Sequence, residues 1–145
     1  MDPLTALTLI GSGLALVDQF YDMAKRWKGD EAGGHSVTVD TAEDKLVITD
    51  HGFVDEVSGA DIELTDFDQV RHDALFRRIN INWTQYNEIY IAHAAAAADE
   101  RARLGVQMTR LEEDLCPDFR ELVGIYEGIL QRSLPDHYTL RNVCA

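Results

Sequence analysis

LFRRININWTQYNEIYIAHAAAAADERARLGVQMTRLEEDLCPDFRELVGIYEGI, residues 75–129, decides the fold. Leu75, Ile79, Trp83, Tyr86, Tyr90 and His93 recur at steps of four, four, three, four and three, with Arg71, Arg78, Asn82, Gln85 and Glu88 on other sides. That is one apolar face of an amphipathic helix. A second stripe follows in Leu104, Met108, Leu111, Leu115, Phe119, Leu122, Tyr126 and Ile129. Between them lies the five-alanine run Ala94 to Ala98, strong in helix propensity and without a turn residue. One reading is a single helix roughly 75 Å long at 1.5 Å per residue. The other is an antiparallel hairpin reversing near Ala97, with Asp99 capping the second arm. The hairpin is preferred, because two apolar stripes in a short chain bury each other. The second stripe passes Pro117 in phase, which predicts a kinked but continuous helix. A fresh helix starting near Pro117, with Asp118 and Glu121 in its first turn, keeps the same face buried.

Working outward, Thr65 or Asp66 is the predicted cap of the first arm. Upstream, Ser36-Val37-Thr38-Val39 and Lys45-Leu46-Val47-Ile48-Thr49 alternate and are rich in β-branched residues. Thr41 to Asp44 predicts a turn between them. Asp50-His51-Gly52 predicts another, leading to a third strand over Phe53–Val57. Gly29 to Gly34 reads as a loop. At the other end, Leu134-Pro135-Asp136 closes the last helix, and Tyr138, Leu140 and Val143 are expected to pin the tail.

Residues 1–28 form the predicted opening helix. Asp2 and Pro3 start it, and Gly29 stops it. Leu7, Ile10, Leu14, Val17 and Tyr21 follow a three-four seam, the expected assembly surface. Gly11, Ser12, Gly13 and Ala15 permit close helix approach. Lys25, Arg26 and Lys28 complement the helix dipole and are candidate membrane-proximal bases. The fifteen uncharged residues from Pro3 to Val17 fall short of the ~20 a spanning helix needs. An interfacial helix remains compatible with the pattern. The opening Met1-Asp2-Pro3-Leu4-Thr5-Ala6-Leu7, with Val17-Asp18-Gln19-Phe20, resembles the N-termini of fungal HeLo-type domains and related STAND signalling proteins over about 20 of the 145 residues. The resemblance implies a helical bundle whose first segment inserts into membranes during programmed cell death.

Charge bounds the partners. The net charge of −13 argues against nucleic acid and anionic lipid as non-specific partners. Residues 30–68 hold twelve acids against Lys45 alone, so the acidity belongs to the strand region. It suits a basic partner or, more simply, a solvated face. Asp61, Glu63, Thr65 and Asp68 lack the glycine and terminal glutamate of a calcium loop. Two cysteines, Cys116 and Cys144, make no disulfide framework, so a reducing compartment is the default. The histidines His35, His51, His72, His93 and His137 form no His-x-x-x-His or Glu-x-x-His pattern. His72, beside Asp73, is too weak a pair for a hydrolase.

The expectation is thus a mainly α, α+β protein. Its parts are an N-terminal amphipathic helix (1–28) and a second unit (35–145) of acidic β-meander and helical hairpin with a Pro-kinked last helix. No catalytic residue, cofactor or metal is expected. The expected function is a non-enzymatic interaction module, homo-oligomeric or bound to a protein partner, in the cytoplasm. The alternative is a membrane-active effector working through residues 1–28 at the inner face of a membrane.

Overall fold

The computed structural model describes residues 3–144. It is α+β and mainly α. Helix α1 runs Pro3–Trp27. Strands β1 (His35–Asp40), β2 (Lys45–Asp50) and β3 (Phe53–Ser58) follow, then helices α2 (Asp66–Ala95) and α3 (Ala98–Leu130). The expected cap Asp2 lies outside the described residues.

The strands form an antiparallel meander in the order β1-β2-β3. Val39 pairs with Leu46, and Leu46 with Val57, so one face of the sheet is apolar. Leu46, Ile48 and Val57 are buried, while alternate residues face outward. The β2–β3 reversal is tight because His51 and Gly52 both take positive φ, +47° and +88°. This sheet lies on α1. A Cβ at Gly11 would meet Val39 at 2.9 Å, so glycine there sets the helix–sheet distance.

Thr65 caps α2, its side chain accepting from the Asp68 amide at 3.1 Å. The chain then reverses at Ala96 and Ala97 as an antiparallel hairpin. The expected cap does not form: Ala97 occupies the capping position without a side-chain bond, and Asp99 sits inside the first turn. There its charge still complements the helix dipole. Helix α3 continues unbroken through Pro117 and ends at Gln131, whose φ of +55° closes the last turn. A tail with a short 3-10 turn, Asp136–Thr139, folds back and buries Tyr138, Leu140 and Val143.

Helix α1 is central to one core and is not an appendage. Its Leu7, Ile10, Leu14, Val17 and Phe20 share a cluster with the inner faces of the sheet, α2, α3 and the tail. At Gly13 a Cβ would lie 1.6 Å from the Tyr126 hydroxyl oxygen, so the small residues of α1 let α3 come close.

Candidate functional site

The expected assembly seam is corrected first. Leu7, Ile10, Leu14 and Val17 are fully buried and Tyr21 nearly so. The sheet and the helical hairpin both need an apolar partner, and this seam is the one they cover. The basic trio is divided as well. Lys28 pairs with Glu112 at 2.7 Å and Lys25, half-buried, lies over the Tyr21 ring, while Arg26 and Lys28 are exposed.

Glu112 is a buried carboxylate inside α3. The Trp27 indole and the Tyr86 hydroxyl donate to its Oε2 at 2.8 and 2.7 Å. Burial, followed by the charge of Glu112, pushes the Tyr86 phenol up, so it stays a donor. The network joins α1, α2 and α3 and is structural.

Helix α2 carries apolar residues on two opposite faces. The inner face is the expected one: Leu75, Ile79 and Tyr86 are buried, and Trp83 and Tyr90 pack against the core. The outer face shows Phe67, Val70, Ala74, Ile81, Ile91 and Ala95, all exposed. Arg77, Thr84 and Glu88 fill the gaps, also exposed. Together they follow an unbroken three-four alternation from 67 to 95, the repeat of a coiled-coil seam. Two opposed faces cancel, so α2 has almost no net amphipathic moment. Sequence reading stopped at the first periodicity it met and missed the second.

A polar cluster lies where α1, the start of β1, the end of β2 and the tail meet. Asp18 and Asp22 come from α1, His35 opens β1, Asp50 ends β2, and His137 comes from the tail. His137 Nε2 lies 2.7 Å from Asp18 Oδ1. His35 Nε2 lies 3.0 Å from Asp22 Oδ1 and 3.9 Å from Asp18 Oδ1. The two imidazoles stack at 4.2 Å between centroids and 8° between planes. Their side chains are 2% and 6% exposed. Among the described residues, His35 Nε2 and His137 Nδ1 are the buried side-chain atoms with no hydrogen-bond partner. Tyr138 donates to Asp18 Oδ2 at 3.1 Å. Burial, then the charge of Asp18, pushes its phenol up and keeps it a donor. The Gly33 amide donates to Asp22 Oδ1 at 3.2 Å. No metal was expected from the sequence, and donor atoms of Asp18, His35 and His137 fall within 4.8 Å of one another. Local spacing hid the cluster, because its members come from four segments of the chain. The one readable sign was a pair of acids, Asp18 and Asp22, four residues apart on a helix that is otherwise without acids.

The remaining candidates resolve as structure. His72 is buried, its Nε2 2.7 Å from the Tyr126 hydroxyl. Cys116 and Cys144 form a disulfide, with Cα atoms 6.0 Å apart. This corrects the expectation that two cysteines signal a reducing compartment without a disulfide: the folded-back tail brings Cys144 onto α3. A cavity of about 730 Å³ lies beside Trp27, His93 and Gly105 near the α2–α3 reversal. Its wall is mostly apolar.

Compared with known proteins, the chain matches no family model, no curated protein and no solved structure.

Proposed function

We propose that the protein is a non-enzymatic, self-associating helical module that dimerises through the outer face of α2. The observation that carries this reading is the exposed heptad seam of residues 67–95. In a soluble protein such a seam costs free energy unless something covers it. A second copy, laid antiparallel, fits it in detail. Setting Arg77 opposite Glu88 of the second copy gives two equivalent ion pairs, one on each side of the two-fold axis. The same register sets Val70 opposite Ala95 and Ala74 opposite Ile91, large against small. Ile81 then faces Thr84 at the centre. A parallel pair would instead set Arg77 against Arg77 and Glu88 against Glu88. Charged residues within a seam weaken it but fix orientation and register, and here they favour the antiparallel dimer.

The test is light scattering coupled to size-exclusion chromatography, with circular dichroism on each variant. The wild type is expected to be a dimer. Ile81→Glu should yield a folded monomer. Arg77→Glu should weaken the dimer at least tenfold, and Arg77→Glu combined with Glu88→Arg should restore it, because the swapped charges still meet. A wild type that is monomeric at high micromolar concentration, or a double swap no better than the single, overturns the reading.

The membrane alternative rests on α1, which is long and apolar enough to cross a bilayer by length and composition alone. It requires α1 to leave the core it now fills. Liposome leakage lost on deletion of residues 1–28 would favour it. No leakage from the intact chain would remove it. On location, a buried disulfide suits an oxidising compartment better than the reducing cytoplasm first expected.

A further inference from the structure

We propose that Asp18, Asp22, His35 and His137 bind one divalent transition cation of the zinc class, which ties α1, β1 and the C-terminal tail together. The alternative is a set of ordinary ion pairs; His137 meets Asp18 in that way at 2.7 Å, but His35 does not. A hydrogen bond needs the N–H aimed at its acceptor. His35 Nε2 lies within 3.0 Å of a carboxylate oxygen yet makes no hydrogen bond, so the two atoms sit side by side and not head-on. Two donors to one cation are arranged in that way, because the cation occupies the apex between them. The two imidazoles stack at 4.2 Å with planes 8° apart, which holds their lone pairs in separate planes, so one ring turns about its Cβ–Cγ bond when both bind the ion.

The donor set selects the ion. Two imidazole nitrogens and two carboxylates neutralise a dication and suit zinc or its first-row neighbours. Calcium and magnesium favour all-oxygen shells. Asp18, His35 and His137 form the compact set, and Asp22, which lies beside His35 but outside that set, swings in as the fourth donor of a structural tetrahedron. Bonds of about 2.0–2.2 Å set tetrahedral neighbours roughly 3.3 Å apart. The 2.7 and 3.9 Å separations between Asp18 and the two histidines bracket that value. Binding therefore asks for movements of about half an ångström between Asp18 and the histidines, with a turn of one imidazole and a swing of Asp22.

The surroundings fit a metal-bound state. His137 Nδ1, the second buried unpaired atom, points toward Asp50 with Oδ1 at 3.8 Å. Closing that gap would complete a carboxylate–histidine–metal relay, the usual support of a ligating histidine. Tyr138 already holds the far oxygen of Asp18. A cavity of about 380 Å³, lined by His35, His137, Tyr21, Lys25 and His51 among others, gives the ion a way in.

The experiment uses the full-length chain, stripped with chelator and titrated calorimetrically with zinc, then spectroscopically with cobalt(II). One equivalent of each is expected, with visible cobalt bands and a zinc-dependent rise in Tm that magnesium and calcium do not reproduce. His35→Ala and His137→Ala should each weaken binding at least a hundredfold. Asp50→Asn should cost about tenfold, in the range of supporting partners. His93→Ala, remote from the cluster, should change nothing. If a histidine variant fails to fold, Asp18→Asn and Asp22→Asn keep the side-chain shape and should show the same loss. No binding by the folded wild type, or undiminished binding in any folded ligand variant, overturns the proposal. Ile81→Glu, the monomer-forming change, should leave metal binding intact, so failure of one proposal is separable from failure of the other.

Discussion

At the scale of single residues, burial assigns most of the chemistry. Glu112 shows how. Its carboxylate accepts from Trp27 and Tyr86 and pairs with Lys28, so a charge in the interior is fully partnered. Removing one member of such a set leaves the others buried without a partner. Glu112→Ala should therefore cost about 3 kcal/mol. Chemical denaturation checks this, and Glu112→Gln should recover part of the loss by keeping some of the hydrogen bonds. Gly13 carries information of another kind. Its missing side chain is the space that the Tyr126 hydroxyl occupies, a requirement invisible until α3 is placed against α1.

At the scale of elements, each helix has a different number of partners. Helix α1 is covered by the sheet, the hairpin and the tail, so its three-four seam is core. Helix α2 is covered on its inner face, and its second seam stays open. The periodicity of the two helices is alike, and only packing tells a buried seam from a free one. The tail depends on α3. Its disulfide spans 28 residues of sequence, and loop-closure entropy for that length corresponds to about 3.5 kcal/mol. Cys144→Ser should lower stability by up to that amount and raise amide exchange over residues 134–144. Unchanged exchange there would mean that Tyr138, Leu140 and Val143 hold the tail without the covalent link.

At the scale of the whole molecule, α1 is a folding requirement before it is anything else. A chain beginning at Gly29 loses the partner of the sheet's inner face and of the hairpin's inner stripes. It should lose cooperative thermal unfolding and near-ultraviolet dichroism while keeping some helix signal. A truncated chain that melts cooperatively would show that α1 is separable, and would return weight to a membrane or assembly role for it. Most of the acidity of residues 30–68 falls on the strands and their turns, while Asp66 and Asp68 flank Phe67 at the start of the α2 seam, so repulsion bears only on that end of the dimer face.

The sequence by itself determined the local structure. Alternation marked three strands, two stripes marked two long helices, and Thr65 marked a helix start. The hairpin had to be preferred over one long helix on the ground that apolar stripes bury each other, and the structure agrees. These features are legible because each arises from neighbours within a turn or two of chain. Tertiary structure alone decided which seam is core, which thiols meet, and that Asp18, Asp22, His35 and His137 share one site. Those pairings join residues up to 119 positions apart. No periodicity encodes such contacts: they exist only once α1, the sheet and the tail have closed around the same core.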